Sequence, residues 1–108
     1  MDRLSATFTA VSDPTRRAIL ARLASGPAPV GEIARPFRIS QQAVSKHLAC
    51  LERARLIRRR RVGRQSVCSL RALPLRDAAE WAGGFRRLWE SNFSRLDALL
   101  EELPQAGG

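Results

Sequence analysis

The stretch Ile39–Ile57, ISQQAVSKHLACLERARLI, runs straight into Arg58–Arg64, RRRRVGR. Ser40 suits the N-cap of a helix, because its hydroxyl can accept from an amide that a helix start leaves unpaired. From there Val44, His47 or Leu48, and Leu51 recur at three- and four-residue steps. That spacing predicts a helix over 41–53 with this stripe inward. Gln41, Gln42, Ser45, Lys46 and Ala49 fall on the opposite, exposed face. After Leu56 the period changes from helical to alternating. Residues 56–62 and 66–70 read as two strands around Gly63-Arg64-Gln65, a short glycine-bearing turn of the kind a hairpin needs. Its tip carries Arg61, Arg64 and Gln65.

Working towards the N-terminus, Val30, Ile33 and Ala34 predict a short helix over 30–36 that Pro36 ends. The connection to the helix over 41–53 is then about four residues long, which is helix-turn-helix spacing. Gly26-Pro27-Ala28-Pro29 reads as a loop. Asp13 can cap, and Pro14 suits the first position of a helix over 14–24 whose apolar face is Ile19, Leu20 and Leu23. Leu4, Phe8 and Val11 form one stripe of a helix over 4–11. Towards the C-terminus, Pro74 opens one long amphipathic helix over 75–103, with a bend at Gly83-Gly84 and a frayed tail from Pro104.

The order is therefore mainly α with a small β-hairpin: four helices, two strands and a last helix. This is the layout of a winged helix-turn-helix in a single domain over 1–108, with the helix-turn-helix at 30–53 and the wing at 56–70. In that layout the second helix of the pair enters the major groove by its N-terminal end.

Charge points the same way. The chain carries a formal +9, and residues 35–71 hold eleven Lys/Arg against one acid, Glu52. Residues 1–34 and 72–108 are near neutral. A basic middle third reads as a localised polyanion-binding surface. On the helix, Gln41, Gln42, Ser45 and Lys46 suit base edges or phosphates, since Gln matches adenine and Lys reaches guanine or phosphate. Ser40, with the free amides behind it, suits a backbone phosphate. His47 at this position is a packing or phosphate-contact residue. On the wing, Arg58, Arg60, Arg61, Arg64 and Gln65 are candidates for phosphate or minor-groove contact. A strand alternates its sides, so the tip arginines are favoured over Arg59. Arg16 and Arg17 read equally as backbone contacts or a solvated face.

Trp81, Phe85, Leu88, Trp89, Phe93, Leu96 and Leu100 are more apolar surface than a chain of 108 residues can cover alone. A second copy is the simplest cover, with Leu4, Phe8 and Val11 joining the interface. The helices over 4–12 and 75–103 are thus the expected dimerisation helices.

The strings DPTRRAILARL (13–23), VGEIARPFRISQQAVSKHLACLERARLI (30–57), GR (63–64) and WAGGFRRLWESNFSRLDAL (81–99) resemble the ArsR/SmtB winged-helix repressors, over roughly residues 4–103. The last string is similar to the branch of that family without metal sites. The resemblance implies a homodimer, paired through its first and last helices, that represses transcription from a palindromic promoter site. Two positions depart from the pattern. Arg55 stands where the family usually has a glycine in left-handed conformation, and Gly83-Gly84 is unusual in a dimerisation helix. The helix over 30–36 has no Cys and the last helix no His, so no metal and no cofactor is expected. A small-molecule inducer held between subunits is a further partner that this arrangement admits.

Two other readings stand beside this one. Cys50 and Cys68 could serve a thiol-based redox or metal-responsive switch, with His47 three residues from Cys50. The fold could instead be an interaction module that binds nucleic acid without sequence preference. No nucleophile–base pair, paired carboxylates or phosphate loop marks an enzyme. The N-terminus lacks the apolar region of a signal peptide and no run is long enough to span a bilayer, so a cytoplasmic location is expected.

Overall fold

The computed structural model describes residues 1–102, apart from the side chain of Trp89. The elements are α1 (Arg3–Val11), α2 (Pro14–Leu23), β1 (Ala28–Pro29), α3 (Val30–Ala34), α4 (Gln41–Arg53), β2 (Ile57–Val62), β3 (Gln65–Leu70), α5 (Leu73–Gly83) and α6 (Arg86–Glu102). Contacts divide the chain into two compact units, Met1–Ala78 and Ala79 onward. Leu103 and the tail from Pro104, which the sequence reading placed at the end of the last helix and beyond it, lie outside the described residues.

The first unit is built on one core. Ile19, Leu20 and Leu23 of α2, Ile33 of α3, and Val44, Leu48 and Leu51 of α4 are buried with Leu56, Ile57 and Cys68. Each large aliphatic side chain hidden in this way contributes roughly 1.5–3 kcal/mol. Leu48, and not its neighbour His47, takes the inward position on α4. Asp13 caps α2 through the Arg16 amide at 3.0 Å, and Ser40 caps α4 through the Ala43 amide at 3.1 Å.

Five expectations are corrected. The hairpin is part of a three-stranded sheet in the order β1-β3-β2, because Ala28 and Pro29 pair antiparallel with Cys68 and Val67. Pro29 is tolerated there because β1 is an edge strand. The turn is two residues long, since Val62 pairs directly with Gln65. Gly63 holds φ 62° while Arg64 does not share a positive φ, the pattern of a type II′ turn. α3 stops at Ala34, so the helix-turn-helix connection runs over 35–40 instead of about four residues.

The fourth correction concerns α1, where the expected stripe of Leu4, Phe8 and Val11 is displaced. Thr7 and Ala10 are buried, Leu4 and Val11 are half-buried, and Phe8 is largely exposed. Thr7 bears its burial because its hydroxyl donates to the Arg3 carbonyl at 3.0 Å.

The fifth is the single C-terminal helix. It is two helices separated by Gly84 and Phe85. The Gly84 amide donates to the carbonyls of Glu80 (3.1 Å) and Trp81 (3.2 Å), closing the last turn of α5. A Cβ on Gly84 would stand 3.2 Å from the Trp81 carbonyl oxygen, so this turn fits glycine best. Trp81 and Phe85 pack edge to face at 5.1 Å between centroids. Leu88, Phe93, Leu96, Leu99 and Leu100 of α6 are exposed. The Trp89 side chain, expected on the same face, lies outside the described residues.

Candidate nucleic-acid interface

The buried stripe of α4 fixes which side chains are presented. With Val44, Leu48 and Leu51 inward, Gln41, Gln42 and Lys46 are exposed and Ser45 is half-buried. The capped N-terminal turn of α4, the end that would meet a polyanion, is also its positive end. Ser40 uses its oxygen as an acceptor in the cap and keeps its hydroxyl proton for another partner.

The wing stands beside that turn. Ile57 is buried at the root of β2, and Arg59, two residues on and on the same side of the strand, is half-buried. Arg58 and Arg60 point the other way, and with Arg61, Arg64 and Gln65 they are exposed. A cleft of about 550 Å³ separates α4 from the wing. Gln41 and Ser45 line it from the helix, Arg59, Arg64 and Gln65 from the wing, and Arg35 from the connection. The structure therefore brings Gln41, Ser45, Arg64 and Gln65 together around one concave, basic surface. Ser40, Gln42, Lys46, Arg58, Arg60 and Arg61 do not line it.

Arg35 and Arg59 are the residues that the sequence reading did not select. The signal for Arg59 was available: it shares strand parity with the inward Ile57, which turns it towards α4. Its Nε lies 4.0 Å from Glu52 Oε1, while that buried nitrogen has no hydrogen-bond partner.

His47 is not presented outward like Lys46. Its Nδ1 lies 3.4 Å from Arg16 Nη1 and 3.9 Å from Asp13 Oδ2, so it is half-buried against the start of α2. Arg16 is occupied as well, donating through Nε to the Ala10 carbonyl at 2.7 Å and through Nη2 to the Thr9 carbonyl at 3.1 Å. Arg17 donates to the Val11 carbonyl at 2.8 Å. Both arginines thus cap the C-terminal carbonyls of α1. The Arg16 amide holds the Asp13 carboxyl below the usual aspartate range; partial burial opposes this, and charge on His47 and Arg16 assists it.

The cysteines occupy different environments. Cys68 is buried in β3, and burial pushes its thiol up, with nearby Arg59 opposing and Glu52 assisting. A raised thiol is a poor thiolate source. Cys50 is half-buried on α4. Among the described residues no three His, Cys, Asp or Glu side chains gather as a metal site. Also among them, no helix is long and apolar enough to cross a membrane.

A helix pair with a basic second helix, flanked by an arginine-rich hairpin, defines a winged helix-turn-helix of the nucleic-acid-binding kind. Comparison with known proteins carries this to a family. The helix-turn-helix domain family matches residues 11–60. The chain is 41% identical over 78 residues to the transcriptional repressor SdpR of Bacillus subtilis (strain 168), covering 72% of this chain and 87% of that one. It is 51% identical over 63 residues to the HTH-type transcriptional regulator Rv2034 of Mycobacterium tuberculosis, covering 58% of this chain and 59% of that one. The crystal structure of the ArsR family transcriptional regulator RHA00566 superposes with a TM-score of 0.75 at 38% identity, covering 82% of this chain and 98% of that one. The chain belongs to the ArsR family of winged helix-turn-helix transcriptional regulators, which are DNA-binding proteins.

Proposed function

We propose that this protein is a repressor that binds a palindromic promoter site as a homodimer, without a metal cofactor, in the cytoplasm. The observation that carries the reading is the basic cleft between α4 and the wing, with the Gln41 amide and the Ser45 hydroxyl on one wall and guanidinium groups on the other. Gln41, Gln42, Ser45 and Lys46 read base edges in the major groove. Ser40, Arg58, Arg60, Arg61, Arg64 and Gln65 hold phosphates or the minor groove, and Arg35 and Arg59 line the floor between them. His47 acts indirectly, by fixing α4 against α2.

The second copy follows from α6. Leu88, Phe93, Leu96 and Leu99 are exposed at three- to five-residue steps with Leu100 beside them, and each would otherwise stay in water. The family resemblance assigns the pairing to the first and last helices, which adds Leu4, Phe8, Val11, Trp81, Phe85 and Trp89. A two-fold pair presents two α4 helices to successive major grooves. A small-molecule inducer is a further expected partner.

Sedimentation equilibrium combined with nuclease footprinting on promoter DNA tests the reading. The expected result is a dimer that protects two half-sites about one helical turn apart. A Phe93→Glu, Leu96→Glu variant should sediment as a monomer and lose the footprint. A monomeric parent, or protection without half-sites, would contradict the proposal.

A further inference from the structure

A second cluster of arginines lies outside the interface above. Arg3 of α1, Arg55 beyond the end of α4, and Arg71 beyond β3 line a pocket of about 170 Å³ with Ala72, Leu73 and Pro74. A second lobe of about 330 Å³ shares Arg3, Arg55 and Pro74 and adds Arg53. No acid lines either lobe. Elsewhere in the first unit, Arg22 faces Glu32, Arg59 faces Glu52 and Arg76 faces Asp77. Among the described residues Arg3, Arg53, Arg55 and Arg71 make no ion pair.

The backbone builds this cluster. The Arg71 amide donates to the Leu56 carbonyl at 2.8 Å, which places Arg71 beside the residue that follows Arg55. Arg55 holds φ 60°, the left-handed conformation that glycine adopts freely and arginine resists. A strained backbone at a residue whose side chain lines a pocket points to a use for that side chain. Like charges gathered without a counter-charge repel one another, and an anion of several charges relieves that repulsion. Guanidinium forks match carboxylate and phosphate oxygens in pairs.

We propose that Arg3, Arg55 and Arg71, with Arg53 at the margin, bind a small multivalent oxyanion of the carboxylate or phosphate class at the exit of α4. Together the lobes fall in the size range of small-ligand sites, roughly 300–1,000 Å³. The pocket touches the junction between α4 and the wing, so an occupant bears directly on the segment that joins the two DNA-facing elements.

Isothermal calorimetry on the full chain without DNA tests this, using citrate and pyrophosphate as probes at a fixed ionic strength of about 0.15 M. The expected result is saturable binding of one anion per chain by at least one probe. Citrate alone would assign the carboxylate source, and pyrophosphate alone the phosphate source. Arg55→Gly and Arg71→Ala should each weaken binding roughly tenfold or more, through loss of charge-assisted hydrogen bonds. Glycine suits φ 60°, so Arg55→Gly remains folded and its loss of binding reports the side chain. An Arg60→Ala, Arg61→Ala wing variant should bind like the parent. Absence of saturable heat with both probes would overturn the proposal. So would full binding by Arg55→Gly and Arg71→Ala, or loss of binding in the wing variant, which would place the anion on the DNA-facing surface.

Discussion

Glu52 of α4 stands 4.0 Å from Arg59 of β2, so the one acid in the basic segment 35–71 faces the wing arginine that turns inward. The pair ties the end of the helix to the sheet. Both side chains keep access to water, and an ion pair in that setting contributes no more than about 1 kcal/mol. Glu52→Gln should therefore lower the unfolding free energy by less than about 1 kcal/mol, read as a slight shift of the denaturant midpoint. It also removes the lone negative charge from the basic segment. Titration with a non-specific duplex at about 50 mM salt should show severalfold tighter binding. A large loss of stability would mean that the pair holds the wing in place by more than surface Coulomb attraction.

Lys46 and Arg64 are exposed on two different elements, the outer face of α4 and the hairpin tip. Each should form one phosphate or base contact. Lys46→Ala and Arg64→Ala should weaken DNA binding and each reduce the salt slope by about one. Sedimentation should leave the dimer unchanged in both. An unaltered slope in either variant removes that residue from the contact set.

Asp13 supplies a pH signature. Its folded carboxyl titrates below the usual aspartate range because the Arg16 amide donates to it, and Asp2 does the same through the Ser5 amide. A depressed carboxyl stabilises the fold above its unfolded pKa, about 4, and that contribution is lost as pH falls through the folded value. Thermal melts should therefore show stability falling from about pH 4 downward. Asp13→Asn, which keeps a capping oxygen but cannot titrate, should flatten that limb. An unchanged slope would assign the acid sensitivity to other carboxylates.

Arg55 at φ 60° carries backbone strain that glycine would not. Arg55→Gly should raise the unfolding free energy by about 1 kcal/mol, the lower part of the range for a non-glycine residue in this conformation. The measurement is urea unfolding of both proteins. A destabilised variant would mean that the arginine side chain contributes packing that outweighs the strain.

Much of this was legible in the sequence where periodicity and capping agree. Ser40 with Val44, Leu48 and Leu51 marked α4 to the residue, and Asp13-Pro14 marked the start of α2. The glycine at Gly63 marked the hairpin. What was not legible depends on partners distant in the chain. β1 is two residues long and contains a proline, so its strand character comes entirely from pairing with Val67 and Cys68. Thr7 and Ala10 replaced Phe8 on the inward face of α1 because small side chains fit there, which an apolarity pattern does not register. The inward turn of Arg59 was readable from strand parity with Ile57. Its approach to Glu52 was not, because that depends on how α4 meets β2.

The central claim is sequence-specific DNA binding by a two-fold dimer, and selection from random duplex DNA at roughly physiological salt tests it most directly, since non-specific binding is already weak there. The account predicts enrichment of an inverted repeat with half-sites about one helical turn apart. Binding without any enriched sequence would contradict it, and would leave the basic cleft as an electrostatic surface without a code.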